Sequence, residues 1–309
     1  MNSVPVAFLD TLCATLQKTD LKELQKIDNR WSRTVETHCS RRRELIVYLY
    51  SNDDETEVWM RINEVPNYWN THVPYSTLTK HDRIRRISMR WIRRELLPET
   101  IPMKRFRTKV LPVLSSMTDA FILEAYAESS KKLWESLFSV LHAPALKIKT
   151  NYLGGKCVEF IERQIALGRL EELDLCGQEW PKSMKASLLA FWKSPNFECL
   201  DISETNLTVD LEILIIMVER FLKGELCMET SLCGKPSDGK MKELREAVRS
   251  GGTLPLLEGI PQPSKSPSLW SSCDIKWTGP SERILRASFS TTNLYIRPTY
   301  PAYTSFASQ

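Results

Sequence analysis

A 27-residue periodicity between Leu146 and Leu226 constrains the fold of this chain more than any other feature of its sequence. Each copy starts with an L-x-L-like triplet and continues into a run of residues with helical spacing. The spacing predicts three consecutive units, each made of one short strand and one helix. The apolar positions that recur at this interval are Leu146/Leu173/Leu200, Ile148/Leu175/Ile202, Leu153/Trp180/Leu207 and Ile161/Leu188/Ile215.

This layout resembles a leucine-rich repeat, in which a unit of about 20–29 residues contributes one strand and one helix. Segments 121–140 and 240–248 carry similar patterns, which extends the array to about four to six irregular units within 46–250. The predicted fold class is therefore α/β, with an irregular leucine-rich-repeat-like βα solenoid. The alternative is two or three unrelated βα units in an ordinary α/β domain.

The residue between the two inward positions of each predicted strand points away from the helices, toward the exposed face of the sheet. Lys147, Asp174 and Asp201 occupy that position in the three units. We therefore expect these three side chains to contact a partner protein. The recurrence of Asp174 and Asp201 is less suggestive of paired catalytic carboxylates.

The first 45 residues predict three helices. Two apolar stripes are followed by a third predicted helix from Trp31 to about Leu45, with the cations Arg41–Arg43 near its end. Pro5 suits the first turn of the first helix, and Asp20 suits the start of the second. A unit of this size buries little apolar surface, so it usually needs a partner. The stripes are Phe8, Leu9, Leu12 and Leu16, and then Leu21, Leu24 and Ile27.

The spacing of these residues resembles the F-box. That family begins with a Leu-Pro pair and ends in a Val-x-x-x-Trp pair, and here Pro5 precedes Trp31 by 26 residues. Ile27 stands at the valine position, and Asp20-Leu21 falls at the family's Asp-Leu position. The departures from the pattern are Val4 for leucine, Ala7 for an acidic residue and Lys18-Thr19 for a proline-bearing linker.

The resemblance implies that the three helices bind a Skp-family adaptor, join a cullin-type (SCF) ubiquitin ligase and leave the repeat domain to bind a protein substrate. Trp180-Pro181 and segment 196–201 are also similar to the repeat region of the expanded nematode F-box families. The substrate-facing residues would then be Lys147, Asp174 and Asp201. The alternative is a generic three-helix cap on a repeat-based interaction protein. The residues expected to bind the adaptor are Pro5, Leu9, Leu12, Leu16, Leu21, Leu24, Ile27 and Trp31.

Between the predicted cap and the repeats, residues 44–50 and 57–62 predict a β-hairpin. The stretch 80–109 then carries eleven Lys or Arg residues against three acidic ones. One interpretation is an anionic partner, such as nucleic acid or an acidic or phosphorylated protein segment. Apolar residues that alternate with the arginines favour a half-buried strand with a solvated face, so nucleic-acid binding remains the alternative.

After Gly251-Gly252 the sequence becomes rich in proline and serine and loses the repeat pattern. Segments 275–277 and 284–289 have weak strand character, but we expect residues 251–309 to form a mostly irregular tail. The predicted domains are therefore an F-box-like helical domain at 1–45, a substrate-binding domain at 46–250 and this tail.

No motif of a nucleotide-binding, hydrolase or zinc-protease site occurs in the sequence, so we expect no enzyme, no cofactor and no catalytic or metal-binding residue. His38 is expected on a charged surface. Eight scattered cysteines without a C-x-x-C pair are expected to be free. The absence of a long apolar run and of a secretory signal predicts a cytoplasmic or nuclear protein without membrane contact.

Overall fold

A computed structural model describes residues 5–16, 18–27, 31–66, 71–89, 93–125, 130–237, 239–250, 254–267 and 273–300. The fold is mixed α/β. It divides into two compact units, Met1–Ala145 and Leu146–Gln309. The helical N-terminus belongs to the first unit, and the 27-residue periodicity lies in the second.

The described part of the first unit begins with a three-helix cap (residues 5–41). Its core consists of Cys13, Leu21 and Val35, each at most 2% exposed. Half-buried apolar residues, including Leu16 and Trp31, pack against that core. The apolar stripes thus face one another, which is why the three short helices hold together. The cap helices are α1 (Val6–Thr15), α2 (Lys18–Gln25) and α3 (Ser32–Arg41).

Two details of the cap differ from the sequence prediction. The small thiol of Cys13 fits where the three helices meet, so α1 turns Leu9 and Cys13 inward and leaves Phe8 57% exposed. The third helix ends at Arg41 rather than near Leu45. Leu45 instead lies in the first strand, where it is completely buried.

The sheet of the first unit has the strand order β4–β2–β1–β3–β5. β1, β2 and β4 are antiparallel neighbours, whereas β1, β3 and β5 run parallel. The predicted hairpin is confirmed, because Leu45 pairs with Glu64 and Ser51 with Val58. The strands are β1 (Glu44–Ser51), β2 (Glu57–Glu64), β3 (Arg83–Met89), β4 (Glu99–Pro102) and β5 (Phe121–Ala125).

Residues 103–116 form one helical segment that precedes β5. The helix continues past Pro112 to Ser116, and a π-helical turn lies directly before α5, whose second residue is this proline. The strand and helix predicted within 121–140 are confirmed by β5 and α6. The helices are α4 (Met103–Arg105), a π-helical turn (Phe106–Val110), α5 (Leu111–Ser116) and α6 (Lys131–Val140).

The second unit begins with alternating strands and helices, as the periodicity predicts. β6, β7, β8 and β10 are parallel neighbours in that order. Gly154 opens α7 at a φ of 91°, which only glycine adopts without strain. The elements are β6 (Ala145–Asn151), α7 (Gly155–Ala166), β7 (Glu172–Gly177), α8 (Met184–Trp192), β8 (Cys199–Thr205), β9 (Thr208–Val209), α9 (Leu211–Leu222), β10 (Ser231–Pro236) and α10 (Lys240–Arg249).

The 27-residue offset survives as strand register only between β7 and β8, where Leu173 lies opposite Leu200. In β6, Ile148 rather than Leu146 lies opposite Leu173, and Leu146 is only half-buried. In α9 the recurring position Ile215 is likewise only half-buried. The units therefore share a layout but not one exact register.

The C-terminal part of the second unit corrects the prediction of a mostly irregular tail. Within its described residues 254–267 and 273–300, an antiparallel meander follows α10, and β14 pairs with β10. Residues of alternating burial, such as Leu285, Ala287 and Phe289 in β13, give each strand one buried face. The strands are β11 (Ser264–Pro267), β12 (Cys273–Thr278), β13 (Ile284–Phe289) and β14 (Leu294–Thr299).

Candidate protein-interaction surfaces

The cap carries an open groove with an apolar floor and a charged rim. Leu16, Leu24 and Ile27 supply its apolar surface. On the rim, Lys26 and Glu23 form an exposed ion pair at 2.6 Å. An apolar centre with a polar border is the usual anatomy of a protein–protein interface. The residues that line this cap groove are Leu16, Asp20, Glu23, Leu24, Lys26 and Ile27.

The eight residues predicted to bind an adaptor differ in their exposure. Leu9 and Leu21 are 5% and 0% exposed, so they hold the cap together and do not form its outer surface. Leu16 and Leu24 contribute both to the interior and to the cap groove. Ile27 is 52% exposed. Of the remaining predicted residues, Leu12 and Trp31 are half-buried and Pro5 is exposed.

Two exposed apolar residues on α1 were not among the predicted contacts. Val6 is 71% and Phe8 is 57% exposed. The spacing of Leu9, Cys13 and Leu16 is itself helical, and counting Cys13 as apolar would have placed Phe8 outside the inward stripe. These two side chains enlarge the exposed apolar surface of the cap.

Two buried arginines hold the C-terminal end of α1. The guanidinium of Arg42 donates to the carbonyl oxygens of Cys13 at 2.7 Å and Ala14 at 3.2 Å, and also to that of Leu16. Arg83, in β3, donates twice to the Ala14 carbonyl, at 2.9 and 2.7 Å. The last carbonyls of a helix lack intrahelical partners and carry partial negative charge, so cations stabilise them. These bonds fasten the cap to the sheet of the first unit.

A second group of polar contacts joins the cap to the rest of the first unit. His38 was predicted on the surface, but it is only 1% exposed because α3 packs this side of its last turn inward. Its Nε2 lies 2.8 Å from Asp10 Oδ1, and Lys80 Nζ donates to Asp10 Oδ2 at 2.8 Å. Hydrogen bonds from Lys80 and then His38 lower the pKa of Asp10 to about 2. The ring of His81 meets that of His38 edge-on, with centroids 4.8 Å apart.

We expect the stability of the first unit to fall when the pH drops below about 6.5, and His81 to contribute to that fall. Burial, with further contributions from His38 and Lys80, lowers the pKa of His81 below its usual 6.5, although Asp10 opposes this. The folded pKa is then below the unfolded one, so the contribution of neutral His81 is present above the unfolded pKa and is lost as pH falls toward the folded pKa.

Urea unfolding at about pH 7.5 and about pH 5.5 measures this effect. The variant His81→Gln should lose less stability between the two conditions than the wild type. His142→Gln is the matched control, since His142 is exposed in the same unit. A loss of equal size in the wild type and both variants would contradict the prediction.

The three predicted substrate-facing residues lie on the exposed face of the second unit's sheet. Asp174 in β7 lies directly opposite Asp201 in β8. Lys147 is paired with Glu172. Asp201 accepts hydrogen bonds from the backbone N–H and the hydroxyl of Ser203, at 2.9 and 2.6 Å. This sheet face thus carries both basic and acidic side chains, held in place by their ion pairs and hydrogen bonds. Glu172 belongs to the face but was not among the predicted residues.

The same sheet face carries the thiols of Cys176, Cys199 and Cys233. Burial raises the pKa of Cys176 to about 12 and that of Cys233 to about 11. Such thiols stay protonated at neutral pH and are weak nucleophiles. All eight cysteines are free thiols in the structure.

The first half of the basic stretch 80–109 is engaged within the first unit. Besides the contacts of Lys80 and Arg83, Arg85 lies 3.1 Å from Glu44 and Arg86 lies 3.7 Å from Glu124. These ion pairs favour the interpretation of this half as a structural strand with internal partners. Their charge is partly neutralised by the acids of the same unit.

Among the described residues, no group of histidine, cysteine and acidic side chains could hold a metal ion. In the same part of the chain no helix combines the length and apolar character needed to cross a membrane. Comparisons with protein-family models, with curated proteins and with solved structures gave no match.

Proposed function

We propose that this chain is a substrate-recognition adaptor of a cullin-type ubiquitin ligase, working in the cytoplasm or nucleus. In this proposal the cap binds a Skp-family adaptor. The observation that carries it is the cap groove, whose apolar residues Leu16, Leu24 and Ile27 come from the segment with F-box-like spacing. The additional exposure of Val6 and Phe8 supports a protein partner at this end of the chain.

The second unit would bind the substrate. Its three βα units, which follow one another from β6 to α9, support a leucine-rich-repeat-like relation, and the Leu173–Leu200 register is its clearest trace. Ordered polar side chains on the exposed sheet face, Asp174 and Asp201 among them, would select the partner. Catalysis would then be positional, because a bound substrate is held at high effective concentration near the ligase.

Co-purification with a Skp-family adaptor tests the proposal, with wild type compared with Ile27→Asp. Ile27 is 52% exposed and follows α2, so the substitution removes apolar contact area without opening the cap core. Leu167→Asp is the matched control, since Leu167 is 46% exposed in the second unit. We expect capture by wild type and by Leu167→Asp, and a loss of about tenfold or more in Ile27→Asp.

Circular dichroism of all three proteins checks that each variant keeps the helical content of the wild type. Failure of the wild type to capture the adaptor would rule out the ligase role. The sheet face of the second unit would then remain as the binding surface of an interaction protein without an adaptor. Equal capture by all three proteins would place the adaptor contact outside the cap groove.

A further inference from the structure

The helical segment 103–116 presents a cationic surface that the rest of the described chain does not neutralise. It contains four cations and no acidic residue. All four side chains are exposed, and none forms an ion pair within the described residues. This contrasts with Arg85 and Arg86, which have acidic neighbours at 3.1 and 3.7 Å. The residues of this cationic surface are Lys104, Arg105, Arg107 and Lys109.

The orientation of the cationic surface is fixed by packing on the opposite side of the helix. Phe106, Val110 and Leu114 are each at most 1% exposed. A helix anchored by such side chains cannot rotate, so its polar residues must face outward. Val113, one turn after Lys109, is 37% exposed and adds an apolar contact beside the cations.

The size and composition of this surface decide what kind of anion it fits. Residues 104–109 cover only about 8 Å of helix, from five steps of about 1.5 Å. A protein that contacts about six to ten phosphates of a nucleic acid needs a longer cationic surface than this one. Such proteins also stack bases on exposed aromatic rings, whereas the aromatic residue of this segment, Phe106, is 0% exposed. A short acidic peptide with one apolar side chain matches four cations and Val113 better.

We propose that the cationic surface at 104–109 binds an acidic segment of a partner protein, with an apolar residue of that segment on Val113. The carboxylates would accept hydrogen bonds from the guanidinium groups of Arg105 and Arg107, which present paired donors. This binding is independent of the cap groove, because the two surfaces share no residue. It can therefore hold or fail separately from the ligase proposal.

Fluorescence anisotropy with the full chain tests this inference. The probe is a labelled peptide of alternating glutamate and serine with one central leucine, and the reference peptide carries glutamine for glutamate. The variant is K104Q/R105Q/R107Q/K109Q. The matched control is K182Q/K193Q/K223Q/K242Q, which removes the same charge at exposed lysines of the second unit.

We expect the acidic peptide to bind the wild type and the control alike, and the first variant about tenfold or more weakly. Added salt should weaken the binding, because exposed charges are screened. Equal weakening in both variants would overturn the proposal, since only net charge would then matter. Equal affinity for the glutamine peptide would also overturn it. If the wild type bound a single-stranded oligonucleotide more tightly than the acidic peptide, and the first variant lost that binding, the ligand of the cationic surface would be nucleic acid and not a peptide.

Discussion

Replacing Trp180 with alanine is expected to lower the free energy of unfolding of the second unit by ~3–5 kcal/mol. The indole is 2% exposed, and its ring meets that of Tyr152 edge-on with centroids 5.4 Å apart. Its Nε1 donates to the carbonyl of Cys176 at 2.9 Å. Alanine would leave a cavity and remove one of the two hydrogen bonds that the Cys176 carbonyl accepts, the other coming from the backbone N–H of Tyr152 at 3.0 Å, so the packing and polar losses would combine.

Trp180→Phe separates those two losses. Phenylalanine keeps most of the ring contact with Tyr152 but cannot donate to Cys176, so we expect a smaller loss that includes ~1 kcal/mol for the hydrogen bond. Urea unfolding followed by circular dichroism measures all three proteins. If alanine and phenylalanine cost the same, the packing of Trp180 would not matter and the expectation would be wrong.

The second large effect is expected at Arg42, where Arg42→Met should destabilise the first unit by ~2–4 kcal/mol. The side chain is 2% exposed, and burial lowers the pKa of its guanidinium. Methionine fills part of the space but leaves the carbonyls of Cys13, Ala14 and Leu16 without this donor. The cost should appear first in the cap, since α1 would lose its C-terminal anchor.

Amide hydrogen exchange is the measurement for this second prediction, because it reports the opening of the cap separately from the sheet. We expect faster exchange in α1 for Arg42→Met and little change in β7 or β8. Arg41→Met is the control at the neighbouring position, where the side chain is exposed. Equal protection of α1 in both variants would show that Arg42 does not hold the helix.

Local patterns in the sequence predicted the cap, the β1–β2 hairpin and the alternation of strands and helices in the second unit. Those elements depend on residues close together in the chain, where periodicity is informative. The exact register of β6 could not be predicted, because Leu146 and Ile148 are both plausible inward residues. Only the pairing of β6 with β7 determines that Ile148, and not Leu146, lies opposite Leu173.

The buried polar residues were not predictable in the same way. His38, Arg42 and Arg83 lie among other charged residues in the sequence, which is the usual signature of a surface. Their burial depends on carbonyls and acids that are distant in sequence, such as the Ala14 carbonyl, which Arg83 reaches across 69 positions. The C-terminal meander was not predicted as a sheet, although 275–277 and 284–289 have weak strand character, because its strands are short and separated by proline- and serine-rich turns.

The spacing of apolar residues predicted the cap helices but not which side of each helix is exposed. Leu9 and Leu21 fit the F-box-like pattern and are buried, whereas Val6 and Phe8 are exposed and were not selected. Which side of a short helix faces a partner depends on the packing of all three helices. By contrast, the alternation within a strand was enough to place Asp174 and Asp201 on the exposed sheet face.

The position of β10 has a consequence for the synthesis of the chain. One edge of β10 pairs with β8, which has already been made, but its other edge pairs with β14, which ends about 60 residues later at Thr299. At about 5–20 residues per second, roughly 3–12 s pass between the two strands. During that interval the nascent chain carries an open strand edge that can pair with other chains. Ribosome-bound intermediates that stop before Leu294 should therefore depend most on chaperones.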